Sequence, residues 1–237
     1  MIADLTAAET LLNGKPRQSK TKIDVSVVRG LRARTALQME DWATAATYAI
    51  AARNGYSLMS AAEYTATGAF ATLSNPEWMW GSLIPADQAT IYASFFSHMD
   101  VRTGGYAALG TQKKITKWLY DQINVADARK ARFQAPGTGT TASPDYNQLK
   151  FQVPVAGSWA ADYLYMRASE MYLIEAEARA NQGGQEAAAR TALETVVKAR
   201  YPAYSAATFS GAALLEEIRL QRRIELWGEG RSEEGRV

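Results

Sequence analysis

The chain has 237 residues, 47% of them apolar and 21% charged, which is the composition of a globular protein and excludes a disordered one. Its 26 basic and 24 acidic residues leave a net charge of +2, so there is no electrostatic signature of nucleic-acid binding. The absence of cysteine excludes disulfides, thiol catalysis and thiolate metal sites.

The first 55 residues predict three helices joined by polar connections. Apolar residues recur at intervals of three and four in residues 4–12, 25–39 and 42–53, which places them on one face of each helix. Asp41 stands directly before the third helix, where an N-cap is expected. Small and aromatic residues are spaced as in a tetratricopeptide-type helix pair: Ala33, Trp42, Ala45 and Ala52.

Residues 56–161 predict an irregular insertion. Asn75-Pro76, Gly104-Gly105 and Pro136-Gly137 are among the turn signals that interrupt it. Tryptophan is concentrated here, with four of the six in the chain, so we expect any ligand-binding surface to lie in this insertion.

Residues 162–231 predict a helical hairpin followed by a third helix. The first helix has Met171, Ile174 and Ala178 on one face and is expected to end at Gly183 and Gly184. The periodic apolar positions of the next two helices are Ala189, Leu193, Val196 and Val197, and then Leu214, Leu215, Ile218, Leu220, Ile224 and Trp227.

Two motifs in this region resemble the signatures of the SusD/RagB family. The first consists of Arg167, Glu170, Tyr172, Leu173, Ala176, Glu177 and Ala178, and the second of Ile218, Arg222, Glu225, Leu226, Glu229 and Gly230. The segment 77–81, Glu-Trp-Met-Trp-Gly, resembles a family strand that follows a turn, and Asp127, Arg129 and Phe133 are similar to a further segment of the family. The sequence departs from the second signature at Gln221, where the family has Glu, and at Arg231 and Ser232, because the closing arginine comes one place early.

The resemblance implies a mainly α fold of tetratricopeptide-like helix pairs, with an irregular insertion that contains short strands. It implies a single SusD-like domain, incomplete at both ends, with a helical repeat part (1–55), a loop-rich ligand region (56–161) and a helical hairpin with a third helix (162–237). It also implies a non-catalytic, surface-exposed lipoprotein of the outer membrane that binds glycan and delivers oligosaccharide to a TonB-dependent SusC-like transporter. The signal and lipid anchor of such a protein are expected outside this sequence.

Five aromatic residues of the insertion are candidates for sugar contacts, because an aromatic face stacks on the apolar face of a sugar ring: Trp80, Tyr92, Trp118, Tyr120 and Trp159. Burial in the core is the alternative for each of them. The charged motif residues are expected to form ion pairs that orient packed helices rather than a pair of catalytic carboxylates: Arg167, Glu170, Glu177, Arg222, Glu225 and Glu229.

Two other functions remain open on the sequence. A helical-repeat scaffold would bind a protein or peptide through its alanine-lined helix faces. An enzyme has less support, since the one histidine, His98, lies near Ser97 and Asp100 only in sequence, and the members of a triad meet in space. No ligand spacing favours a metal site, and no glycine-rich loop favours a phosphate cofactor, so we expect neither.

Overall fold

A computed structural model of the chain is mostly helical, which confirms the expected fold class, and it describes residues 1–230. Arg231 and Ser232, where the sequence departs from the family signature, lie outside the described residues. The helices are α1 Ile2–Leu12, α2 Val25–Gln38, α3 Trp42–Arg53, α4 Ala61–Thr65, α5 Phe95–Met99, α6 Lys117–Gln122, α7 Ala168–Ala180, α8 Glu186–Arg200 and α9 Gly211–Glu225. Strands β1 Trp78–Ser82 and β2 Tyr163–Arg167 pair in a two-stranded sheet, and short 3-10 turns lie at Ala86–Gln88, Val101–Thr103, Tyr106–Leu109 and Ala128–Arg132.

The chain forms two compact units. The helical unit contains Met1–Leu58, Pro76–Trp80 and residues 165–230. The insertion unit contains Met59–Asn75 and Gly81–Leu164. Most of residues 56–161 lie in the second unit, whereas residues 76–80 belong to the helical unit.

Successive helices of the helical unit pack on one another. Helix α2 packs on α3, α3 on α7, and α7 on α8, while α1 lies against α2 and α9 against α7 and α8. Asp24 caps α2 by accepting a hydrogen bond from the backbone of Val27. Asp41 caps α3 by accepting one from Thr44, which confirms the predicted N-cap.

Small residues allow these helices to approach closely. The alanines on the facing sides of α2, α3 and α7 have no solvent exposure: Ala33, Ala45, Ala49, Ala52 and Ala178. Gly30 of α2 serves the same purpose, because a Cβ atom there would lie 2.4 Å from the sulfur of Met166 in β2. A second apolar core joins the last three helices, with Leu173, Leu193, Val197, Leu214 and Ile218 fully buried.

The structure corrects two element boundaries. Residues 163–167, which the sequence places at the start of the helical hairpin, form strand β2, and α7 begins at Ala168. Pairing with β1 explains the difference, since strand formation here depends on a partner far away in sequence rather than on local periodicity. Helix α7 also ends at Ala180, before the predicted stop, although Gly184 does adopt the left-handed conformation, with φ of 75°.

Aromatic rings build the core of the insertion unit. Phe151 meets Phe70 and Phe95 edge to face, with ring centroids 5.9 and 5.1 Å apart, and Phe70 meets Tyr64 at 5.0 Å. Such edge-to-face pairs stabilise a core beyond the area that they bury. They hold α4 and α5 in a unit that contains little regular secondary structure.

Candidate functional site

The five aromatic candidates differ widely in exposure. Tyr92 is 76% exposed and Trp118 57%, whereas Tyr120 is only 6% exposed. Trp80 and Trp159 are half-buried. Of the five, Tyr92 and Trp118 therefore offer a large ring surface to a ligand.

The other three candidates have packing contacts of their own. Trp80 lies against the core of the helical unit, with its ring edge-to-face to Tyr165 at 5.1 Å. Tyr120 packs edge-to-face on Tyr146 at 5.3 Å, and burial raises the pKa of its hydroxyl. The backbone carbonyl of Trp159 accepts a hydrogen bond from Ser94, and its indole N–H is buried without a hydrogen-bond partner in the described structure.

Tyr92 belongs to a cluster of three rings on the insertion unit. Its ring centroid lies 5.9 Å from that of Tyr106, with 59° between the two planes. His98 stacks on Tyr106 with centroids 4.8 Å apart and planes 13° apart. The ring nitrogen Nε2 of His98 lies 3.2 Å from the backbone carbonyl oxygen of Tyr92. We call Tyr92, His98 and Tyr106 the aromatic cluster.

A tight turn brings Tyr106 back to His98. Asp100 ends α5 and accepts hydrogen bonds from the backbone of Arg102 and Val153, as well as from the Arg102 guanidinium. Thr103 donates to the Asp100 carbonyl and accepts from the backbone of Gly105. These bonds fold residues 100–105 into one hydrogen-bonded turn.

Glycine is required where this turn meets α5. A Cβ atom on Gly105 would lie 2.1 Å from the hydroxyl of Ser97 and 2.9 Å from its Cα atom. The absence of that atom lets the backbone of Tyr106 donate a hydrogen bond to the Ser97 hydroxyl at 3.2 Å. The ring of Tyr106 is thereby positioned beside His98, the residue that follows Ser97.

The same contacts argue against a catalytic triad. The Ser97 hydroxyl accepts its hydrogen bond from Tyr106, and the Asp100 carboxylate is held by Arg102 and Val153. The bond of His98 leads to the Tyr92 carbonyl. Ser97, His98 and Asp100 thus each form their hydrogen bonds with other residues and not with one another.

The charged motif residues form a buried ionic cluster in the helical unit. The Arg167 guanidinium lies 2.6 Å from carboxylate oxygens of Glu77 and Glu225 and 2.7 Å from Glu229. Arg200 lies 2.8 Å from Glu77 and 3.1 Å from Glu225. The side chains of both arginines, Glu77 and Glu225 have no solvent exposure. We call these five residues the ionic cluster.

Mutual attraction keeps the ionic cluster charged despite its burial. Burial is the largest single influence on the pKa of Arg167 and would lower it. The attraction of Glu229, Glu225 and Glu77 outweighs burial and holds the pKa of Arg167 well above its ordinary value. Removing one partner would leave a buried charge uncompensated, so we propose that the cluster stabilises the fold.

The remaining motif carboxylates also pair with arginines between helices. Glu170 of α7 binds Arg34 of α2 at 2.5 Å, and Glu177 of α7 lies 3.5 Å from Arg222 of α9. Each carboxylate is thus occupied by a helix-packing ion pair. Within the described residues, no group of three or more His, Asp or Glu side chains could hold a metal ion.

Sequence reasoning misses four members of the two clusters. The sequence indicates Glu77 only as part of a strand, and it marks neither His98 nor Tyr106 as a ligand residue. The signal for Tyr106 is its place directly after Gly104-Gly105, since paired glycines allow a close backbone approach. Nothing in the local sequence indicates that Arg200 belongs to the ionic cluster.

No helix in the part of the chain that the structure describes is long and apolar enough to cross a membrane. No curated protein matches the sequence.

Comparison with known proteins identifies the family. Over 97% of this chain, the structure resembles that of a SusD-like carbohydrate binding protein from Bacteroides vulgatus, with a TM-score of 0.78 and 31% identity. It also resembles the surface glycan-binding protein A of Bacteroides uniformis (TM-score 0.70, 18% identity) and a SusD superfamily protein of Bacteroides thetaiotaomicron (0.70, 20%), in both cases over 97% of this chain. The chain spans about half the length of these proteins, covering 48%, 54% and 52% of them respectively. The model of the SusD family matches residues 92–232, which is more than half of the sequence, and the chain therefore belongs to the SusD family.

Proposed function

We propose that this chain is the glycan-binding part of a surface nutrient-binding protein, and that it binds sugar without catalysing a reaction. Family membership supports this proposal, as do two structural relatives that are described as carbohydrate-binding and glycan-binding proteins. The observation that carries it is the exposed ring of Tyr92, set at an angle to Tyr106 on the insertion unit.

The aromatic cluster has the chemistry that a sugar ring requires. An aromatic face contacts the apolar C–H face of a pyranose, and hydrogen-bonding groups at its edge select the hydroxyls. Tyr92 supplies an open ring, and the Tyr hydroxyls and the His98 imidazole supply polar atoms beside it. Trp118, which is exposed on α6, is a second candidate for a sugar contact.

We further propose that the whole protein is a lipoprotein of the outer membrane and passes oligosaccharide to a TonB-dependent SusC-like transporter. This proposal rests on the family alone. Co-purification of the full-length protein with such a transporter from outer membranes would support it. Isolation of the protein without any transporter would contradict it.

The alternative, a scaffold that binds peptide through alanine-lined helix faces, has less support. The alanines in question are fully buried within the helical unit itself, so these faces are occupied by the unit's own helices. An enzyme is also less favoured, because the motif carboxylates are held in ion pairs with arginines.

The proposal is tested by native gel retardation in a panel of plant, host and microbial polysaccharides. We expect one glycan to retard the wild-type chain and Tyr92→Ala to weaken its binding about tenfold, or about 1.4 kcal/mol. Leu11→Ala is the control, because Leu11 is 73% exposed but lies on the helical unit. Equal retardation of wild type and Tyr92→Ala would exclude Tyr92 from the site, and no retardation by any member of the panel would contradict glycan binding by this chain.

A further inference from the structure

His98 contacts both tyrosines of the aromatic cluster, whose rings also meet each other directly. Its ring face stacks on Tyr106 at 4.8 Å, and its ring edge reaches the Tyr92 carbonyl at 3.2 Å. One side chain thus contacts both tyrosines by two different interactions. The stack aligns the imidazole with the ring of Tyr106 to within 13°, and the edge contact links the imidazole to the Tyr92 backbone.

Tyr92 has little else to hold it. Tyr92 is 76% exposed, and in its own turn Thr90 accepts the hydrogen bonds that the backbones of Ala93 and Ser94 donate. In the described part of the chain, the hydrogen bond and the ring contact that Tyr92 makes beyond this turn are with His98 and Tyr106. The orientation of Tyr92 therefore depends on these two residues.

His98, by contrast, lies on a helix that is packed into the insertion unit. It lies on α5, whose residues Phe96, Ser97 and Met99 are buried. The backbone of Phe95, at the start of α5, donates to the hydroxyl of Tyr163 at 2.9 Å. We therefore expect the exposed turn of residues 90–93 to take its position from the His98 side chain, to which it is hydrogen-bonded.

The contact also indicates which ring nitrogen of the imidazole carries a proton. A carbonyl oxygen can only accept, so Nε2 of His98 must carry a proton. The other ring nitrogen, Nδ1, has no hydrogen-bond partner among the described residues. It is therefore the polar atom of this ring that remains available to a sugar hydroxyl.

We propose that His98 is a positioning residue of the glycan site. By bonding to Tyr92 and stacking on Tyr106, it sets the angle of 59° between the two tyrosine rings and so preorganises a cleft for one pyranose ring. This inference rests on the proposed function, because it concerns the same surface. It adds a residue that neither the family motifs nor the sequence patterns assign to binding.

The first test needs no ligand. His98 is the only histidine in the sequence, so its imidazole signals in an NMR spectrum are unambiguous. We expect ¹⁵N shifts of the Nε2–H form and ring protons shifted upfield by Tyr106. We also expect His98→Ala to increase the backbone mobility of residues 90–93 in ¹⁵N relaxation, and His98→Gln to restore it, because a Gln amide N–H can replace Nε2–H. Unchanged mobility in His98→Ala would overturn the proposal.

The second test measures binding, by titration with the polysaccharide that retards the wild-type chain. We expect His98→Ala to weaken the affinity about fivefold to tenfold. His98→Gln, which keeps the bond to Tyr92, and His98→Phe, which keeps the stack on Tyr106, should each retain part of it. Leu109→Ala is the matched control, since Leu109 is 71% exposed in the same short segment as Tyr106. Equal affinities of wild type and His98→Ala would overturn the proposal.

The two tests also separate this inference from the proposed function. If residues 90–93 become mobile in His98→Ala but no glycan binds to the wild type, the positioning role of His98 stands and the sugar function fails. If a glycan binds and Tyr92→Ala abolishes binding while His98→Ala does not, the sugar function stands and the inference fails. Thermal melting of each variant confirms that it is folded.

Discussion

Arg167 uses its whole guanidinium group within the helical unit. All three nitrogens donate to carboxylates: Nη1 to Glu77 and Glu225, and Nε and Nη2 to Glu229. Nη2 also donates to the backbone carbonyl of Glu225. A lysine could not replace it, because a single ammonium cannot present this planar set of donors. The arginine at the start of the first family motif is thus explained by geometry as well as by charge.

We expect Arg167→Ala to destabilise the protein by about 3–5 kcal/mol, because buried carboxylates would lose their main counter-charge. Urea unfolding followed by circular dichroism measures this loss. The control is Arg219→Ala, which removes an exposed pair with Glu216 and should change the stability by no more than about 0.5 kcal/mol. Similar values for the two variants would show that the ionic cluster does not matter for folding.

Among the elements, α1 is attached to α2 through ion pairs. None of its residues is buried, although its composition is apolar. Glu9 binds Arg29 at 2.9 Å and Arg32 at 2.6 Å, and both arginines belong to α2. Burial tends to raise the pKa of Glu9, but the hydrogen bonds from the two arginines outweigh it, and the pKa is lowered below 4.5.

This lowered pKa predicts how the docking of α1 responds to pH. Because Glu9 binds its proton less tightly in the folded chain, its contribution is complete above its unfolded-state pKa and is lost as the pH falls through the folded-state pKa. We expect Glu9→Gln to cost about 1 kcal/mol at neutral pH and nothing at a pH below the folded-state value. Urea unfolding of both proteins at the two pH values tests this; a difference that persists in acid would show that the charge of Glu9 is not the cause.

At the scale of the whole molecule, burial is distributed unevenly among the helices. Ten residues of α7 are buried, including Leu173, Ile174 and Ala176, whereas α1 has none. Local opening is easiest where few apolar side chains lose contact. The stability of the helical unit should therefore decrease from α7 toward α1.

Hydrogen exchange followed by mass spectrometry tests this gradient. We expect amides of residues 168–180 to exchange only by global opening and those of residues 2–12 to exchange orders of magnitude faster. Peptides of α8 serve as the internal reference, since α8 has six buried residues. Equal protection of α1 and α7 would mean that α1 is held by more than its ion pairs with α2.

The sequence predicts the helices of this fold better than its clusters. Periodic apolar residues indicate α2, α3, α8 and α9, because each helix face is defined within a few turns. Strand β2 and the ionic cluster depend on partners that the chain brings back from far away, and Glu77 lies 90 positions from Arg167. In the candidate site, Tyr92 is predicted from its residue type, but its neighbours Tyr106 and His98 depend on the turn at Gly105.

The long separations within the ionic cluster also bear on how the chain is made. Arg200 and Glu77 are 123 positions apart, and Arg167 is 62 positions from Glu229, so the cluster cannot assemble until the chain has been synthesised through Glu229. Until then, two arginines share a single carboxylate, that of Glu77. A nascent or shortened chain that stops before Glu225 thus carries unmatched positive charge at a site from which the folded protein excludes water. We expect such a chain to be incompletely folded and therefore open to quality-control proteases.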